Sequence, residues 1–314
     1  MTTGLEIERY KGNFTSRAQG WTNLNDSERK RRAVEAARDR NLTALWDLTE
    51  ARLTTWGRAG GRVSPATLEA YQTGVQQVVN AASGINLLAP PRDFGATWIR
   101  SLEALGRTTS TVHVRLAGAR ALWAGLRWAG ATEVDPFVDV RAAPDLTAAC
   151  DKRQPYLISE TDKLLEIAAP RETALILLGS HGGLRISETV SLRGQDVDLE
   201  GGQTRVLGKG GKVRVVRLSR RCCEALRALR TDKGNRFVDL TVHGARASMR
   251  RLCTLAGVTY MGTHSLRHQA GTRLYRQTND LEMVARHLGH TELETARIYA
   301  KWSDERLAQS VDGW

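Results

Sequence analysis

Cysteine is scarce: the 314 residues contain four, Cys150, Cys222, Cys223 and Cys253. Neither their number nor their spacing suits a disulfide framework or a CxxC metal knuckle, so they are expected to be buried spectator thiols in a reducing compartment. Long apolar runs are missing too. No stretch approaches the roughly 18 consecutive apolar residues of a membrane span, and the opening MTTGLEIERYKGN is polar and mixed in charge, which points to a soluble, unexported, cytoplasmic chain. There is no repeat of fixed period and no low-complexity tract, so solenoids and fibrous classes are set aside. Acidic residues are outnumbered, 34 Asp+Glu against 46 Lys+Arg, for a net charge of +12. Such an excess favours a polyanionic partner, nucleic acid first, although surplus arginines also cover ordinary soluble surfaces.

The length is comfortable for two cores. Residues 1–25 have little apolar periodicity and read as a flexible arm or a short extra element. From Asp26 to Trp56 apolar positions recur at helical steps, as one long or two abutting helices stopped by Gly57, Gly60 and Gly61. Ser64-Pro65 opens the next helix as cap and first helical residue. Another follows Pro90-Pro91, and a further one runs from about Thr109 to Trp128. These helices form a unit over 26–135. Prolines 136, 144 and 155, among small and polar residues, mark 136–155 as a linker. Beyond it, 156–314 is expected to be mainly helical, with a helix starting at Ser159 and Asp162 and a tail from about 303. The one β signal is a hairpin, Thr204–Leu207 and Lys212–Leu218, around Gly208-Lys209-Gly210-Gly211. The fold class is therefore mainly α with a small β-hairpin or sheet.

Four signals in this second half carry chemistry: Gly183-Leu184-Arg185-Ile186-Ser187-Glu188, the lysine hairpin, His264-Ser265-Leu266-Arg267, and Leu288-Gly289-His290 with Tyr299 nine residues on. Attack on a phosphodiester passes through a pentacoordinate state with added negative charge, which calls for fixed cations at the non-bridging oxygens. Arginine suits that task because its planar fork is always charged, so Arg185 and Arg267 are candidate clamps. His264 and Arg267, three residues apart, share one helix face. Glu188, one turn after Arg185, can hold that guanidinium in place.

In order and spacing these signals resemble the tyrosine recombinase (phage integrase) family, close to Xer-type and phage integrase catalytic domains over roughly 155–305. The amino-terminal half is similar to their helical core-binding domain in general pattern. The resemblance implies a two-domain, C-shaped clamp on double-stranded DNA, a helical core-binding domain followed by a mixed α+β catalytic domain. It implies site-specific recombination with Tyr299 as nucleophile, a covalent 3′-phosphotyrosyl intermediate, no cofactor and no metal. Homo-oligomers follow, a dimer on one site and a tetramer in synapsis. Arg185, Arg267, His264 and His290 would act on the phosphate, the two histidines sharing hydrogen bonding and proton handling, and Glu188 would stand behind Arg185. Lys209 would protonate the leaving 5′-oxygen, with Lys212 in the same turn as the reserve. One departure is Ser180-His181-Gly182-Gly183, where the family has a small hydroxyl residue leading into Gly-Leu-Arg.

Each signal alone has a plainer reading, as a salt-bridge arginine, a tight turn or a core-edge tyrosine; the ordered set favours the recombinase. His264 with His268 has the spacing of a zinc helix, and His287 with His290 could add ligands. Arg267 between that pair, and Ser265 where a catalytic glutamate would stand, argue against metal. The basic string Arg29-Lys30-Arg31-Arg32 could be a solvated helix face, but on a DNA clamp it is a candidate phosphate stripe, with Lys212 as a further candidate DNA contact. Trp21, Trp46, Trp56, Trp98, Trp123 and Trp128 are expected in the core. The alternatives retained are type IB topoisomerase-like relaxation and a non-catalytic DNA-binding protein.

Overall fold

A computed structural model describes residues 18–58, 60–146, 154–208 and 213–289. The chain divides into two compact units after Leu146. Among the described residues no helix is long and apolar enough to cross a membrane.

In the first unit the region expected as one or two helices is two, α1 (Asp26–Arg38) and α2 (Leu42–Trp56). The break comes at Arg40, whose left-handed backbone turns the chain and whose guanidinium donates to the carbonyls of Val79, Ala82 and Ile85. Asn25 and Asn41 cap the two helices by accepting from the Glu28 and Ala44 amides. α3 (Pro65–Ala81) starts with Ser64 as cap, α4 covers Phe94–Ala104, and α5 covers Thr109–Trp128. α3 and α5 form the most extensive helix pair. Leu45, Leu48, Ile99, Leu122, Trp123 and Leu126 are buried in one common core.

Two boundaries differ from the sequence reading. Residues 18–22 of the expected arm are helical, and Trp21 is buried in the same core. The expected linker begins with packed structure: the Phe137 ring is fully buried, with centroids 5.3 Å from Trp123, 5.8 Å from Trp98 and 6.2 Å from Phe94. Arg120 donates to the Phe137 and Val140 carbonyls and holds this return segment against α5. A buried aromatic cluster outweighs the local proline-rich composition.

In the second unit, α6 spans Ile158–Ile167. It starts one residue before Ser159 because Glu160, not Asp162, reaches back to the Leu157 amide, 2.7 Å away. α7 (Pro170–Ser180) is buried from Ala174 to Ser180 and forms the centre, with α9 (Arg220–Ala228), α10 (Val242–Leu255) and α11 (His264–Thr278) around it. α8 (Ile186–Ser191) and α12 (Leu281–Leu288) are short. The expected hairpin is present as β2 (Gln203–Leu207) and β3 (Val213–Arg217), antiparallel with Leu207 opposite Val213 and Gln203 opposite Arg217. A two-residue strand β1 (Val197–Asp198), too short to leave a sequence period, pairs with β2 and completes a three-stranded sheet. Cys222, Cys223 and Cys253 are buried and free, and Cys150 lies outside the described residues. The fold is mainly helical with a small antiparallel sheet, in keeping with the expected class.

Candidate active site

Arg267 lies one turn into α11 and is 1% exposed. Its fork reaches two other parts of the unit, Nη1 donating to the Gly183 carbonyl at 2.6 Å and Nη2 to the Leu288 carbonyl at 2.7 Å. Gly183 belongs to the loop between α7 and α8 that delivers Arg185, and Leu288 is the last residue of α12, just before Gly289-His290. One buried cation thus holds three of the four sequence signals together. Two glycines permit the close approach. Gly183 has φ +65, and a Cβ there would come within 2.3 Å of the Leu288 side chain; Gly289 ends α12 in the left-handed conformation at φ +69.

Arg185 is the residue before α8. Its amide donates to Glu188 Oε2 at 2.8 Å and its guanidinium to Glu188 Oε1 at 3.1 Å, while its side chain stays 37% exposed. Glu188 is buried and carries a second cation that the sequence reading missed. Arg214 of β3 binds it with both fork nitrogens, Nη1 to Oε1 and Nη2 to Oε2, each at 2.8 Å. Burial pushes the Glu188 carboxyl up, but the hydrogen bonds from Arg214 and the Arg185 amide, with the charges of both guanidinia, hold it below the usual glutamate value. The carboxylate therefore stays ionised between two arginines. A signal for Arg214 was available: it shares strand parity with Val216 and Leu218, the two buried residues that follow it.

His264 opens α11, half-buried, and its ring meets that of His268 edge to face at 4.6 Å. Among the described residues no group of three His, Cys, Asp or Glu is placed to hold a metal ion. His181, at the departure noted in the sequence, is tied down on both ring nitrogens. Arg273 Nη1 donates to its Nε2 at 3.2 Å, which leaves the proton on Nδ1 to be donated to Ser219 Oγ at 2.7 Å. Burial first, then the charges of Arg273 and Arg221, lower its pKa to about 4. His287 donates from Nε2 to the His181 carbonyl at 3.3 Å, and burial lowers its pKa as well. His181 and His287 thus work as neutral struts between the α7 end and α12.

Of the remaining candidates, Lys209, Lys212, His290, Tyr299 and the tail from 303 lie outside the described residues. In the first unit the basic string divides. Arg29 is used internally, donating to the Trp21 and Leu24 carbonyls and to Asp26 and lying 4.9 Å from the Trp128 ring centroid, so it is not a free phosphate contact. Arg31 and Arg32 share Glu28, whose carboxyl their hydrogen bonds lower to about 2, and Arg31 also reaches Glu35. Lys30 is exposed. Trp56, expected in the core, is 65% exposed at the end of α2, with the Arg52 guanidinium 5.9 Å from its ring centroid. The other tryptophans of that set are buried or packed against the core.

The sequence model of the phage integrase family matches residues 155–306. Tyrosine recombinase XerC of Stutzerimonas stutzeri (strain A1501) is 30% identical over 281 residues, covering 81% of this chain and 91% of that protein. XerC of Xanthomonas axonopodis pv. citri (strain 306) is 29% identical over 283 residues, covering 80% and 91%. Two solved structures share the fold. The XerH site-specific recombinase, in a post-cleavage complex with a palindromic difH substrate, aligns with a TM-score of 0.67 at 21% identity over 96% of this chain and 94% of that one. A lambda integrase dimer bound to a COC′ core site aligns with a TM-score of 0.64 at 15% identity over 80% and 75%.

Proposed function

The chain belongs to the tyrosine recombinase (phage integrase) family, and from that premise we propose that it cuts and rejoins double-stranded DNA at specific sites through a covalent link to Tyr299. The observation that carries this reading is the Arg267 fork. By holding the Gly183 and Leu288 carbonyls, it supports a common site for Arg185, His264 and the residue after Gly289, His290. In the proposed step the Tyr299 oxygen attacks the scissile phosphorus, a P–O bond forms to tyrosine, and the bond to the deoxyribose 5′-oxygen breaks. The tyrosine proton passes to one of the two histidines, and Lys209, or Lys212 in its place, returns a proton to the departing 5′-oxygen.

Arg185 and Arg267 meet the charge that grows on the non-bridging oxygens. Each has part of its geometry set in advance by neutral carbonyls or by Glu188, so little reorganisation is required during the reaction. Energy is retained in the phosphotyrosyl bond, and attack by a new 5′-hydroxyl reverses the step on another strand. No cofactor is required by this scheme. The partner is duplex DNA, bound as a dimer on one site and as a tetramer when two sites are exchanged, with the first unit contributing phosphate contacts from Lys30.

The test is to incubate the protein with nicked suicide duplexes in EDTA and resolve the products on a denaturing gel. A covalent adduct from wild type that is absent from Tyr299→Phe is expected. Tight binding without adduct on every substrate would leave a DNA-binding protein. Adduct together with relaxation of supercoiled DNA, but no recombinant between two sites, would indicate nicking and closing alone.

A further inference from the structure

β3 places its residues against the usual hydrophobic order. Val213 and Val215 are 56% and 57% exposed, whereas Arg214 between them turns to the face shared with Val206 and Val216, both buried. A strand turns such a residue inward only if the largely buried cation, its side chain 14% exposed, is well compensated, since an unpaired guanidinium is among the costliest groups to bury. The compensation is the fork on Glu188, the same carboxylate that accepts from Arg185. On its other side Arg214 lies against a backbone turn. A Cβ at Gly289 would meet its Cδ at 2.4 Å and its Nε at 2.8 Å, and that Nε is buried with no hydrogen-bond partner among the described residues.

The geometry points to Arg214 as a positioning residue that joins three parts of the site: through Glu188 it sets the Arg185 guanidinium, and by lying on Gly289 it sets the path by which the chain leaves α12 toward His290. The inference rests on the reading of Arg185 and His290 as groups that act on the phosphate. It adds a physical link between the β-hairpin and that pair. A hairpin lifted from its sheet position withdraws Arg214 from Glu188 and loosens Arg185 and the Gly289 turn together, so the placement of these two is tied to the docking of the strand. Arg205, exposed on the same hairpin, pairs with Val215 on the opposite face and has no such role.

The experiment compares full-length wild type, Arg214→Lys, Arg214→Gln and the control Arg205→Gln in single-turnover cleavage of suicide duplexes. Three scissile linkages are used: the ordinary phosphodiester, a methylphosphonate that lacks one non-bridging charge, and a 5′-bridging phosphorothiolate whose leaving group requires no proton. Arg214→Gln is expected to slow cleavage of the ordinary linkage about 10- to 100-fold, as misplacing a reacting group does, with DNA affinity unchanged and Arg205→Gln like wild type. The deficit should shrink on the methylphosphonate, where less charge is left for Arg185 to meet, and persist on the phosphorothiolate. Arg214→Lys, which keeps the charge and fold but loses the two-pronged hold on Glu188, should show the same substrate pattern in weaker form.

Recovery on the phosphorothiolate instead would assign Arg214 to the proton donor and overturn the inference. So would an equal loss on all three linkages that tracks a lower melting temperature, or Arg214 variants that cleave at the wild-type rate. If wild type itself forms no Tyr299-dependent adduct, the recombinase reading fails and this inference fails with it, an outcome distinct from the others.

Discussion

Arg267 holds the fold together and, in the proposed function, would also serve the chemistry. Its fork spends two donors on the Gly183 and Leu288 carbonyls, in a setting where lysine has neither the reach nor the second prong. Arg267→Lys is therefore expected to lower the melting temperature, at about 1–3 kcal/mol for each buried carbonyl left without a donor. It should also slow covalent adduct formation by roughly 100-fold or more, the usual cost of losing one charge-stabilising donor; thermal denaturation and suicide-substrate kinetics check the two effects separately. His181 gives a prediction in pH. Its pKa falls from the ordinary 6.5 to about 4 in the fold, so the unfolded chain takes up its proton first as pH drops. The contribution is whole above pH 6.5 and is lost as pH falls toward 4. Melting temperatures across this window should decline less steeply in His181→Asn than in wild type, and parallel curves would remove the imidazole from the account.

At the scale of elements, the informative pieces are short turns. The end of α12 is left-handed at Gly289 and roofed by Arg214, so Gly289→Ala meets two obstacles. Left-handed backbone costs alanine about 1–2 kcal/mol, and the new methyl displaces Arg214 from its place beside Glu188. Cleavage should fall more than stability does, with the melting temperature and adduct rate measured on the same preparation. The hairpin teaches a related lesson. Its run Val-Arg-Val-Val-Arg announces a strand, yet alternation puts valines on both faces, Val213 and Val215 on one and Val216 with Arg214 on the other, and the buried carboxylate of Glu188 helps turn the Arg214 face inward. The Phe137 segment is similar: proline and small residues read locally as linker, while one aromatic ring, packed among Phe94, Trp98 and Trp123, ties it to the first unit.

For the whole molecule, the net charge of +12 is the property with the widest reach. Binding to duplex DNA is expected to weaken steeply with salt, the slope of log affinity against log salt changing by about −0.9 for each phosphate contacted. Lys30→Gln should make that slope shallower by about one such contact, whereas Arg29, engaged with Trp21, Leu24 and Asp26, should act through stability instead. Fluorescence anisotropy over a salt series distinguishes these, and a slope near zero would contradict a phosphate-driven partner.

The amino-acid sequence by itself determined the division into a helical half and a mainly helical half with a hairpin, because periodicity, caps such as Ser64-Pro65 and glycine stops are local properties. It also singled out Arg185, Glu188, His264 and Arg267 as candidates, because the order and spacing that make them resemble a recombinase site are written along the chain. Only the tertiary structure decided what holds them. The Arg267 fork closes contacts across 84 and 21 residues, and Arg214 meets Glu188 across 26. Partners so distant leave no period in the sequence, and which arginines are consumed within the fold, such as Arg29 and Arg214, depends on buried carbonyls and carboxylates that come together only when the chain is packed.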